Sequence, residues 1–143
     1  MNTAPWNVGA CVMSTKSFSE SSSGVLAAWE QTGQVYYGVV NPQTSKMTSS
    51  IPARGQATLR NHPVVVGNRN GQILLAWTEG MAWQQGGSLG WQMFDAASRA
   101  QGEARHASDV PVRSLVAAFA RPDGGFTILY QFVCGLQRGF MSQ

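Results

Sequence analysis

The residues with chemistry to offer are few. Arg60 and Arg113 stand 53 residues apart, each ahead of an apolar run, and His62 follows the first of them closely. Two guanidinium forks converging on one anion would hold a carboxylate bidentately, with the histidine beside them. The same arginines would serve as well to close contacts between successive repeats or to face solvent. Glu30 and Glu79 each follow an aromatic residue at the end of an apolar run. A pair of carboxylates can act as acid and base in glycoside hydrolysis, whereas a single one caps a turn or pairs with a neighbouring arginine. Trp83 lies in the Gly-rich stretch from Glu79 to Gly87, next to Gln84 and Gln85. A flat apolar face beside amide donors suits a sugar ring, unless the indole folds back over the strand ends. Arg60, His62, Glu79, Trp83 and Arg113 are therefore the candidate ligand-binding residues, and no residue qualifies as catalytic.

Other chemistries find no support. His62 and His106 are isolated, and no H-x-H, C-x-x-C or H-E-x-x-H spacing occurs, so neither a metal site nor a cofactor is expected. Gly86-Gly87-Ser88-Leu89-Gly90 has the look of a phosphate loop, yet neither a helix nor a lysine follows it. Cys11 and Cys134 are far apart in apolar surroundings, where a bridge and two free thiols are both open readings. The ten basic residues, eight of them Arg, are scattered among seven acidic ones, without the runs that mark a nucleic-acid or membrane surface. The chain lacks an apolar run near the ~20 residues that span a bilayer. The stretch Met1–Trp6 has neither the basic nor the apolar region of a signal peptide.

The elements that must position these residues repeat. Only 12% of the 143 residues are charged, which is poor for exposed helix faces, and sixteen glycines imply many turns. Turn, glycine, apolar run and aromatic recur at Ser23–Trp29, Asn70–Trp77 and Asp123–Tyr130, with the aromatics 48 and 53 residues apart. A further apolar run follows each: Val35–Val40, Leu89–Phe94 and Leu136–Met141. Another strand is expected upstream of each turn, at Met13–Ser19, Pro63–Gly67 and Leu115–Ala120. Outer strands are expected near Lys46–Ile51 and Glu103–His106. Helix over Ser114–Arg121 is the weaker reading, because Pro111 and Pro122 cut it short. The second run of each repeat is apolar on both faces, as an inner strand between two layers must be.

Four antiparallel strands per ~50 residues is the period of a propeller blade. The expected fold is all-β, a single partial β-propeller of about three four-stranded blades over residues 1–143: blade 1 about 6–52, blade 2 about 60–107, and blade 3 about 110–143 without its outer strand. Closed propellers take 4–8 blades, so two copies would complete a six-bladed ring as a homodimer, or the chain is part of a longer one.

The stretch from His62 to Asp95, with Gly24–Glu30 before it and Phe119–Tyr130 after it, resembles the sialidase-like (BNR-repeat) β-propeller superfamily. Within it the chain looks most like bacterial exported propeller proteins of unassigned activity, over roughly residues 6–142. The Asp-box pattern S-x-D-x-G-x-x-W is absent, and Asn70-Gly71 and Asp123-Gly124 are its nearest echoes. The arginine triad, the Tyr–Glu nucleophile and the acid/base Asp of a sialidase find no matching positions. The resemblance thus implies a non-catalytic segment that binds a glycan or a protein. A sialidase-type hydrolase completed by further blades is the alternative, and an inactive piece of a longer chain the third reading. Export is what the resemblance suggests for compartment.

Overall fold

The computed structural model describes residues 16–56, 59–81, 85–111, 114–132 and 135–141. Cys11 and Cys134, and Met13–Thr15 of the first expected strand, lie outside them. The described residues contain no helix. They form eleven strands: β1 (Ser17–Ser21), β2 (Gly24–Gln31), β3 (Gln34–Val40), β4 (Ile51–Pro52), β5 (Arg60–Gly67), β6 (Ile73–Glu79), β7 (Gly87–Phe94), β8 (Ala100–Val110), β9 (Val116–Ala120), β10 (Phe126–Phe132) and β11 (Gly135–Met141). Each sheet is an antiparallel meander in chain order: β1-β2-β3-β4, then β5-β6-β7-β8, then β9-β10-β11.

The hairpins follow from turn chemistry. Thr32 and Gly33 both take positive φ, so a two-residue turn joins β2 to β3 and Gln31 pairs with Gln34. Asn68, Asp95 and Asp123 each bend the chain by accepting backbone N–H groups two to four residues on. Asn41 does the same at the end of β3, receiving Gln43 and Thr44.

Alternation along β6 decides how the sheets stack. Every residue from Ile73 to Glu79 is buried, so both faces of this strand are covered. Ile73, Leu75 and Trp77 meet Leu26, Ala28, Val35 and Tyr37 of the first sheet, with Phe94 alongside. Leu74 and Ala76 point the other way, onto Val116, Phe126 and Ile128 of the third sheet. A ring pair, Tyr37 edge-on to Phe94 at 4.8 Å, links the first and second sheets. The first strands β1, β5 and β9 lie next to one another. Val65 donates its N–H to Ser17 Oγ between two of them, and exposed Phe18 and Phe119 flank β5. The second and third sheets are also pinned at their turns, where Asn68 Nδ2 donates to the carbonyl of Gly124.

Two strands depart from the expectation. The outer strand of the first sheet is Ile51–Pro52 alone, because Ser45 at positive φ and the Asn41 turn take the chain away, leaving one bridge between Val40 and Met47. The outer strand of the second sheet is longer, Ala100–Val110. It follows β7 through register shifts, and Gly102 and Asp109 adopt positive φ along it.

Candidate functional site

The junction of the first and second sheets carries the polar chemistry. Arg60 opens β5 and Glu79 ends β6, and the two are paired in register. Their side chains share one face, so Arg60 Nε reaches Glu79 Oε1 at 3.0 Å. Trp77, two residues before Glu79, shares that face, and the Arg60 guanidinium lies 4.9 Å from its ring centroid.

The first sheet supplies the remaining partners of Arg60. Nη1 donates to Gln34 Oε1 at 3.0 Å and to the Ala53 carbonyl at 3.2 Å, and Nη2 donates to the Arg54 carbonyl at 2.9 Å. Four of its five N–H groups are thus engaged, and the residue is only 1% exposed. Buried Gln92 adds a second tie, accepting the Arg54 N–H and donating to the Gly102 carbonyl. A buried ion pair gives little net stability over an apolar pair of the same shape, but leaving half of one behind is costly. The pair therefore fixes how the two sheets meet.

Glu79 also reaches outward. Its Oε2 lies 3.1 Å from His106 Nδ1 on β8, and the imidazole stands edge-on to Trp77 at 6.5 Å. Above this floor is an open pocket of about 480 Å³, rimmed by Arg54, Gln56, Ser88, Glu103 and His106. Trp77 fits beneath because Gly90 is its cross-strand partner: a Cβ there would fall 2.5 Å from the indole ring.

The sequence candidates divide accordingly. Arg60 and Glu79 come together, with the arginine closing a contact between repeats. His62 stands apart on β5 at a register shift, with φ of 51°. Thr78 Oγ1 donates to the Asn61 carbonyl, so His62 Nδ1, 3.0 Å away, donates to Thr78 and Nε2 holds the lone pair. Burial lowers the affinity of His62 for a proton, and the nearby Glu30 carboxylate opposes this only in part. Glu30 accepts the Gly33 N–H at 2.8 Å and so caps its own hairpin. Trp83 and Arg113 lie outside the described residues. Among the described residues no cluster of His, Cys, Asp and Glu could hold a metal ion.

Sequence reasoning set His106 aside as isolated and read Ser88 only as part of a glycine loop. The signal that points to both is strand register. Glu79 pairs with Ser88, and Gly90, two residues beyond Ser88, pairs with His106. No family model matches this chain, and no curated protein matches it.

Proposed function

We propose that the three sheets are blades of a sialidase-like β-propeller, and that the chain is a glycan-binding segment of it that does not cleave glycosidic bonds. The observation that carries the binding reading is the open pocket between the first two sheets. Its rim offers a guanidinium, an amide, a hydroxyl, a carboxylate and an imidazole, the mixed donors and acceptors that ring hydroxyls need. Its floor is held rigid by the buried Arg60–Glu79 pair, so little ordering is left to oppose binding. The commitments of Glu30 to its hairpin and of Glu79 to Arg60 and His106 count against a glycosidase acid/base pair.

The propeller reading is supported by the meander order of each sheet and the side-by-side first strands. Three blades do not make a ring. Two copies would make six, and Phe18 and Phe119, 68% and 49% exposed on the first strands, would then face a shared axis.

Glycan-array binding of the full chain at neutral pH tests the ligand reading. A retained saccharide should lose about tenfold in affinity in Arg54→Ala or Glu103→Ala, since one charge-assisted hydrogen bond is worth roughly 1.5 kcal/mol. An array without a binder, or affinities untouched by both changes, would remove the pocket as the site. In the same assay Trp83→Ala should weaken binding about fivefold if the indole stacks on the sugar, worth roughly 1 kcal/mol.

A further inference from the structure

Three side chains of catalytic type share one face of the second sheet. Residues paired across antiparallel strands lie on the same side, as do residues two apart along one strand. Glu79 pairs with Ser88, and Gly90 with His106, so Glu79, Ser88 and His106 all face the first sheet. All three line the same pocket.

Glu79 Oε2 lies 3.1 Å from His106 Nδ1, so the carboxylate faces that nitrogen of the ring. The imidazole is about half exposed at the pocket. Glu79 is itself fixed, because Arg60 holds its other oxygen at 3.0 Å. Among the described residues, the charged groups lining the pocket with the imidazole are Glu79 on β6, Arg60 on β5, Arg54 from the first sheet and Glu103 on its own strand.

The Ser88 hydroxyl makes no hydrogen bond among the described residues, and Ser88 is the centre of Gly86-Gly87-Ser88-Leu89-Gly90, a Gly-x-Ser-x-Gly spacing. This is not the strand-to-helix elbow of that motif, since β7 continues as a strand. Packing accounts for both outer glycines. A Cβ at Gly86 would lie 2.5 Å from the Val110 carbonyl oxygen, and one at Gly90 would strike Trp77. Ser88, between them, lines the pocket.

We propose that this pocket is an acyl-transfer site for a small carboxylic ester, with Ser88 as nucleophile, His106 as general base and Glu79 as the residue that positions His106. This goes beyond the glycan reading and does not depend on it. No hydrogen bond joins Ser88 and His106 in the structure, and catalytic contacts of this kind commonly tighten only around a substrate. His106 Nε2 takes the proton of Ser88 Oγ as the Oγ–C bond forms at the ester carbonyl. The alkoxy C–O bond then breaks, and the departing alcohol takes the proton from Nε2. A water attacks the acyl-serine by the same route, releasing the carboxylic acid and restoring the hydroxyl. Ester and water become acid and alcohol, with no redox partner. The donors available to the oxyanion are the Arg54 guanidinium and the remaining Nη2–H of Arg60.

The test uses the full chain with p-nitrophenyl acetate, and with diisopropyl fluorophosphate followed by intact-mass and peptide mapping. Turnover above that of equimolar free imidazole and a single phosphoryl adduct on Ser88 are expected. Ser88→Ala should remove the adduct, and both it and His106→Gln should lower kcat/KM at least about 100-fold. Glu79→Gln should lower kcat more than it changes KM, a split that a purely structural role would not produce. Near-UV circular dichroism on each variant shows whether the fold is kept, and the adduct on wild-type protein needs no variant at all. Absence of a Ser88 adduct, or wild-type turnover in folded Ser88→Ala or His106→Gln, would overturn the assignment. Loss of glycan binding alone would leave it standing.

Discussion

Replacing Arg60 by methionine removes the charge from the junction while keeping most of the stem volume. Arg60 is 1% exposed, and its guanidinium satisfies Glu79, Gln34 and the carbonyls of Ala53 and Arg54. Without it, the Glu79 carboxylate, 7% exposed, keeps His106 but loses the partner at Oε1. Breaking a buried pair from one side costs about 3–5 kcal/mol, mostly because the surviving charge is stranded. The methionine stem retains contact with Trp77 and offsets part of this, so about 3 kcal/mol is expected. That is a large share of the ~5–15 kcal/mol that holds a domain together. Urea unfolding followed by tryptophan fluorescence gives the value directly. The companion variant is Arg60→Met with Glu79→Met, which strands no charge and should recover about 2 kcal/mol of the loss as coupling between the sites. A single variant within ~1 kcal/mol of wild type, or a double variant equal to the sum of the singles, would refute the view that the pair is dry and mutually dependent.

Gly90→Ala should cost about 3 kcal/mol, the upper end for overpacking, since its Cβ has nowhere to go against fully buried Trp77; a shift in the near-UV tryptophan signal should accompany the lower melting temperature. Asn68→Ala should cost about 2 kcal/mol, because the N–H groups of Asn70 and Gln72 and the Gly124 carbonyl all lose a partner, and urea titration measures this. His62 is less ready to take a proton when folded, so the unfolded chain binds more protons just below the ordinary histidine value. Stability should therefore fall as pH drops from about 6.5 through the lower folded value and then level off. His62→Asn, which tolerates the positive φ, should flatten that segment of a plot of urea midpoint against pH.

Much of the architecture is legible because strands and turns are local. The apolar run Ile73–Trp77 announces a strand with two covered faces, and β6 is buried throughout. Asn68, Asp95 and Asp123 announce turns because their side chains reach N–H groups only a few residues away. What escapes the sequence depends on register and on neighbouring layers. Lys46–Ile51 has the composition of an outer strand, yet only Ile51–Pro52 pairs with β3. The polar stretch Ala100–Val110 lacks apolar alternation and is held as a strand by its partner β7. Arg60 and Glu79 are 19 residues apart, and only the pairing of β5 with β6 puts them in contact. His106 joins them from a third strand, 27 positions beyond Glu79, through the register of β7 with both neighbours. A lone histidine in a polar stretch carries no trace of this in its own surroundings.

The architecture on which the proposed function rests is tested most directly by the mass of the purified full chain, measured by light scattering on a sizing column. A single species of two 15.4 kDa chains, unchanged on dilution, is what the proposed six-bladed ring of two copies predicts. A monodisperse monomer that keeps its cooperative unfolding would contradict the six-bladed ring.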